Sequence, residues 1–119
     1  MSARGGGRRT ADSPELRRLR ARIDALDRKL VALLNERAAL TSAIGGEKAR
    51  LGRAVRDAAR EREVLLRVSM ANGGPTPQAE LLAIYRRVIA AARSLETRER
   101  ERLRRDEPEP PGDAEPPVA

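Results

Sequence analysis

The sequence predicts an all-α chain of three helices with a long first helix, paired with a second copy as an intertwined helical-bundle homodimer. Three observations predict it. Apolar residues in the first third of the chain recur at alternating steps of three and four. Two Gly/Pro-containing breaks divide the remainder into two further amphipathic stretches. The chain has 119 residues and a single aromatic, Tyr85, so its core must be built from Leu, Ile, Val and Ala. Such a core is small for one chain and commonly grows by oligomerisation.

The first helix opens at Ser13-Pro14-Glu15, a capping hydroxyl, a proline at the first helical position and an acid in the first turn. Leu16, Leu19, Ile23, Leu26, Leu30 and Leu33 then form a heptad seam that continues through Leu40 and Ile44. Gly45-Gly46 is expected to weaken the helix, with another turn from Lys48 to Leu51 still within reach. Residues 15–44 alone would span about 45 Å at ~1.5 Å per residue. A helix of that length needs a partner along it. Residues 52–56 read as a loop, and Asp57 starts a second helix that ends near Ala71. Asn72-Gly73-Gly74-Pro75 breaks it, and Thr76-Pro77 reads as the next cap and proline start. The third helix presents Leu81, Ile84, Tyr85, Val88, Ile89, Ala92 and Leu95 on one face and extends past Leu95 into charged turns at residues 97–105.

The ends differ in composition. Residues 1–13 place Gly5, Gly6 and Gly7 among Arg4, Arg8 and Arg9, and residues 106–119 read DEPEPPGDAEPPVA. With little apolar surface to bury, both are expected to be disordered, leaving one helical domain at residues 14–105. The tail is either a partner contact or a solubilising end.

Composition also excludes chemistries. The chain has no Cys and no His, so disulfides, thiol catalysis, the usual zinc ligands and the usual neutral-pH base are absent. No metal and no cofactor is expected. No apolar run suits a membrane span or a signal-peptide core, so a cytoplasmic protein without membrane contact is expected. The net charge of +7 fits arginine-rich solvated faces or an anionic small ligand. Nucleic acid is not expected, because aromatic interleaving and a binding motif are missing.

The informative residues break the apolar pattern. Steps of seven from Leu16 reach Ile23, Leu30, Arg37 and Ile44, which puts a guanidinium in an aliphatic slot. Arg20 and Lys48 flank the same seam, about 42 Å apart along one helix. One small ligand cannot touch both in one chain, but in an antiparallel pair Arg20 of one copy would approach Arg37 and Lys48 of the other. In the second helix, Asp57, Arg60 and Glu61 share the phase of Val64, Leu65 and Val68. In the third, steps from Ile89 and Ala92 both land on Glu96. Each has a plainer reading: an ion pair between helices for Arg37, solvated charge for Arg20 and Lys48, a wet first turn for Asp57 to Glu61 or pairs of Glu61 with Lys or Arg across helices, a frayed end for Glu96. Taken together, cations and carboxylates without a nucleophile suit a dicarboxylate substrate and a reaction driven by conformational restraint and fixed charge.

These residues resemble the all-α chorismate mutases. LRRLRARIDALDRKLVALLNERAAL and the following IGGEKARLG are similar to the family pattern L-R-x-x-I-D-x-[IL]-D-x-x-[IL]-x-x-L-L-x-x-R, then [IV]-G-x-x-K. VRDAAREREVLLRV resembles P-V-x-D-x-x-R-E-x-x-[VIL]-[IL], and the third helix resembles the family's closing helix, which often ends S-R-x-L-Q. The resemblance covers about residues 16–96. It implies a homodimer that turns chorismate into prephenate without a cofactor, in phenylalanine and tyrosine synthesis, with each site drawing on both copies. Arg20 would reach in from the partner, Arg37 would grip a carboxylate, and Arg60 would line the anion pocket. Lys48 would hold a carboxylate and the ether oxygen, and Asp57 and Glu61 would engage the ring hydroxyl. Three positions depart from the pattern. Ala92 stands where Ser is common, Ala54 where Pro is common, and Glu96 where Gln is common. Gln donates to the ether oxygen, whereas Glu donates only when protonated, so higher activity at mildly acidic pH is expected. The same fold also serves isochorismate pyruvate-lyases and mutases of 4-amino-4-deoxychorismate. A non-catalytic basic helical binding module is the alternative of another class. Activation by another enzyme of the pathway is not legible in the chain.

Overall fold

The computed structural model describes residues 11–107. They form α1 (Pro14–Arg50), α2 (Ala58–Ala71) and α3 (Gln78–Asp106), with no strand among the described residues. The expectations for residues 1–10 and 108–119 lie outside the described range. The described residues fall into two compact units that divide between Glu36 and Arg37.

In the first unit the predicted start of α1 is present. The Ser13 hydroxyl accepts from the Leu16 amide at 3.1 Å, and the Arg17 amide donates to the Ser13 carbonyl at 3.0 Å. Pro14 is the first helical residue and Glu15 lies in the first turn, where a carboxylate complements the free amides. The heptad seam is open to water in the single chain: Ile23, Leu26, Leu30 and Leu33 are 55–59 % exposed. Most helical stability comes from packing of the apolar face, and this face has no cover within its own unit.

In the second unit α1 does not weaken at Gly45-Gly46 but runs on to Arg50. The reason is a close crossing. A Cβ on Gly45 would stand 2.9 Å from Cα of Glu96 and 3.2 Å from its carbonyl oxygen, so the absent side chain admits the backbone of α3. Gly45, Thr41, Ile89 and Glu96 are buried around this crossing. The turn after α1 uses Gly52 at φ +69°, where a residue without Cβ is favoured. Its amide donates to the Ala49 carbonyl, and the Arg53 amide donates to the Lys48 carbonyl at 2.8 Å.

Asp57 caps α2: in extended conformation, it accepts the Arg60 amide at 3.0 Å through Oδ1. The α2–α3 connection is organised by Asn72, whose Oδ1 accepts from the Gly74 amide at 2.9 Å. Its Nδ2 donates to the Thr76 carbonyl and to Gln78 Oε1. This corrects the expected Thr76-Pro77 cap. Pro77 itself occupies the cap position, without a side-chain cap bond, and α3 begins at Gln78. Thr76 therefore stands one residue before the cap position, with its carbonyl accepting from Asn72 Nδ2. The charged turns after Leu95 are helical to Asp106.

Candidate active site

A cavity of about 310 Å³ opens in the second unit. From α1 it is lined by Arg37, Leu40, Thr41, Ile44 and Lys48, and from the following loop by Val55 and Asp57. Arg60, Glu61 and Val64 line it from α2, and Ile89, Ala92, Arg93 and Glu96 from α3. Every candidate site residue expected in this unit from the sequence is therefore brought to one cavity. Arg20 belongs to the first unit, where it pairs with Asp12 at 2.5 Å and is exposed.

Lys48 and Glu96 form the most enclosed charge pair of the cavity. Lys48 Nζ lies 2.7 Å from Glu96 Oε1, with the two side chains 18 % and 9 % exposed. The same Nζ donates to the Val55 carbonyl at 2.8 Å. Glu96 Oε1 is buried and makes no hydrogen bond, so the short separation is a charge contact whose angle misses hydrogen-bond geometry. The ammonium is thus aimed by one backbone carbonyl and one carboxylate. The plain reading of Glu96 as a frayed, solvated helix end does not hold, because the residue is 7 % exposed.

Arg37 is half-buried, and its Cζ lies 5.9 Å from the centroid of the Tyr85 ring, within cation–π range. Among the described residues it makes no ion pair. The alternative of an interhelical ion pair is therefore replaced by an aromatic face, which leaves the guanidinium donors available to an anion.

The acids of α2 sort differently from the expected carboxylate–arginine set. Asp57 is engaged through the backbone amide of Arg60, while the Arg60 guanidinium turns to Glu63 at 2.9 Å. Steps of three on a helix bring those two side chains together. Glu61 instead faces Arg93 of α3, Oε2 to Nε 3.7 Å. Ala92 lines the cavity wall without a polar group.

Arg93, Thr41 and Val55 were not picked out from the sequence. Arg93 carried a signal, since it stands at the Arg of the S-R-x-L-Q pattern. Thr41, buried at 6 % exposure, is a polar residue beside the seam position Leu40. Val55 contributes only its carbonyl, which leaves no trace in a side-chain pattern. The resolved pKa displacements fall outside the cavity. Hydrogen bonds from Arg50 and Arg102 hold the carboxyls of Glu47 and Glu99 below their ordinary values. No cluster of acids able to hold a metal ion occurs among the described residues, and no described helix is long and apolar enough to cross a membrane.

Three helices and a cavity lined by four cations and three acids define an all-α protein with a charged pocket in its second unit. The family model of chorismate mutase type II matches residues 19–97, and the chain belongs to that family, whose activity is an isomerisation. It is 41 % identical over 86 residues to the bifunctional chorismate mutase/prephenate dehydratase of Aquifex aeolicus (strain VF5). That match covers 69 % of this chain and 24 % of the relative, so the chain spans about a quarter of the relative's length. It also resembles the solved chorismate mutase (form II) of Thermus thermophilus, with TM-score 0.69 and 31 % identity. The alignment covers 71 % of this chain and 96 % of that one.

Proposed function

We propose that the chain rearranges chorismate to prephenate in phenylalanine and tyrosine synthesis, as a cytoplasmic homodimer and without a cofactor. The observation that carries this reading is the Lys48 ammonium, aimed into the cavity by Val55 and Glu96, with Arg37 on the same wall. In this Claisen rearrangement a C–O ether bond breaks as a C–C bond forms, and no proton moves. Catalysis then needs a folded, diaxial substrate and positive charge where the ether oxygen gains electron density. Arg37, Arg60 and Lys48 would hold the carboxylates, and Asp57 and Glu61 the ring hydroxyl. Lys48 and Glu96 would face the ether oxygen beside Ala92. The exposed seam on α1 supports a second copy along the helix, which would bring Arg20 of the partner subunit to the site.

The test is chorismate turnover by Lys48→Ala and Arg37→Ala. Each is expected to lose roughly a hundred- to a thousandfold in kcat/KM, the size of losing one preorganised charge, while helical content and assembly are retained. Turnover like that of the wild type in either variant would remove the assignment.

A further inference from the structure

The family match ends at residue 97, yet α3 continues to Asp106. Its last turns lie against the end of α1 and the loop that follows. Leu103 Cδ1 is 3.7 Å from the position a Cβ would take on Gly46. Arg100 Nη2 donates to the carbonyl of Arg53, a contact spanning 47 residues of sequence. Arg100 Nε is buried without a partner, a state that costs free energy, so the side chain is held inside by its other contacts. The opposite side of this turn is laced by Arg102, which pairs with Glu99 at 2.6 Å and Asp106 at 3.0 Å.

The loop that Arg100 grips is the one that aims Lys48. Residues 51–57 leave α1 through Gly52 at positive φ, present the Val55 carbonyl to Lys48 Nζ, and end in the Asp57 cap. Apart from the amides of Leu51, Gly52 and Arg53, the segment has little of its own to fix it. We propose that Arg100 is a positioning residue: its bond to Arg53 braces the 51–57 loop and thereby fixes the Val55 carbonyl that orients Lys48. The extension of α3 past the family match is then part of the site's support and not only a solvated end. The catalytic half of this inference rests on the mutase reading; the structural half does not.

The full chain tests it with two variants. Arg100→Met keeps the buried stem and removes the donors; Arg100→Lys keeps one charged donor. Hydrogen exchange is followed at the Gly52 and Arg53 amides, alongside kcat and KM for prephenate formation. Arg100→Met should exchange faster at those two amides with α2 unchanged. It should lose about tenfold in kcat with KM shifted less than about threefold, as expected when a reacting group is misplaced by a fraction of an ångström. Arg100→Lys should recover most of both. Unchanged loop exchange in Arg100→Met, a rate loss without loop loosening, or an Arg100→Lys variant as impaired as Arg100→Met would overturn the brace. A wild type inert toward chorismate would instead sink the mutase reading, and loop exchange would still decide the brace.

Discussion

Gly45→Ala probes the crossing that sets the cavity floor. The new Cβ would lie 2.9 Å from Glu96 Cα and 3.2 Å from both its Cβ and its carbonyl oxygen. Two of these atoms are backbone, so no side-chain rotation relieves the contact. Carbon atoms pack comfortably at about 3.5 Å or more, so α3 must retreat by about half an ångström. Overpacking of this kind costs about 1–3 kcal/mol, offset by about 1 kcal/mol of helix propensity gained on replacing glycine with alanine. Gly46 is the internal control. There the Cβ would meet only Leu103 Cδ1 at 3.7 Å, an ordinary contact, and Gly46→Ala should gain about 1 kcal/mol. The two variants share the propensity term, so their difference reports the crossing alone. For a domain of this size that difference corresponds to a midpoint gap on the order of 10 °C. Thermal unfolding followed by helical circular dichroism measures it, at one fixed protomer concentration because assembly shifts the midpoint. Activity should fall in Gly45→Ala as well, since the retreat carries Glu96 away from Lys48. A Gly45→Ala protein as stable as Gly46→Ala would refute the crossing as the reason for glycine.

Two further outcomes follow from the same structure. Glu96→Gln removes a negative charge facing the ether oxygen and supplies a donor, while its amide oxygen can still face the Lys48 ammonium that lies 2.7 Å from Glu96 Oε1. The variant should turn chorismate over faster than the wild type, and a Glu96→Gln rate at or below the wild-type rate removes the idea. Leu26→Glu with Leu30→Glu, both on the open seam at 56 % and 55 % exposure, should convert a dimer to monomer in sedimentation with loss of most helical signal, because the stripe then lacks cover. A double variant that sediments as the wild type does would separate the seam from assembly.

The starts of α1 and α2 and the cavity walls were legible in the sequence, the first from local capping chemistry and the second from periodicity. The Ser13 cap, the Asp57 start and the inward placement of Glu96 are each set by a side chain whose chemistry is local. Legibility failed where backbone decided the outcome. Gly45 reads as a weak point, but in three dimensions it is the gap through which α3 approaches. The Val55 carbonyl has no side-chain signature at all. Partner choice also escaped pattern reading. Arg37 lies by Tyr85 and not an acid, and Arg60 turns to Glu63 while Glu61 takes Arg93. Helical phase gives the face a residue occupies but not which of several charges on that face it meets.

The proposed function puts the conversion of chorismate to prephenate in the cavity around Lys48, Glu96 and Arg37. Asp57 and Glu61 would accept an amine as readily as a hydroxyl, so the substrate decides between the mutases that share this fold. Incubating the purified chain separately with chorismate, isochorismate and 4-amino-4-deoxychorismate, and identifying products by mass spectrometry and chromatography, tests it most directly. Prephenate is expected from chorismate, at a rate that collapses in Lys48→Ala, with little conversion of the other two. Release of pyruvate from isochorismate, or faster turnover of the amino compound, with chorismate left intact, would contradict it.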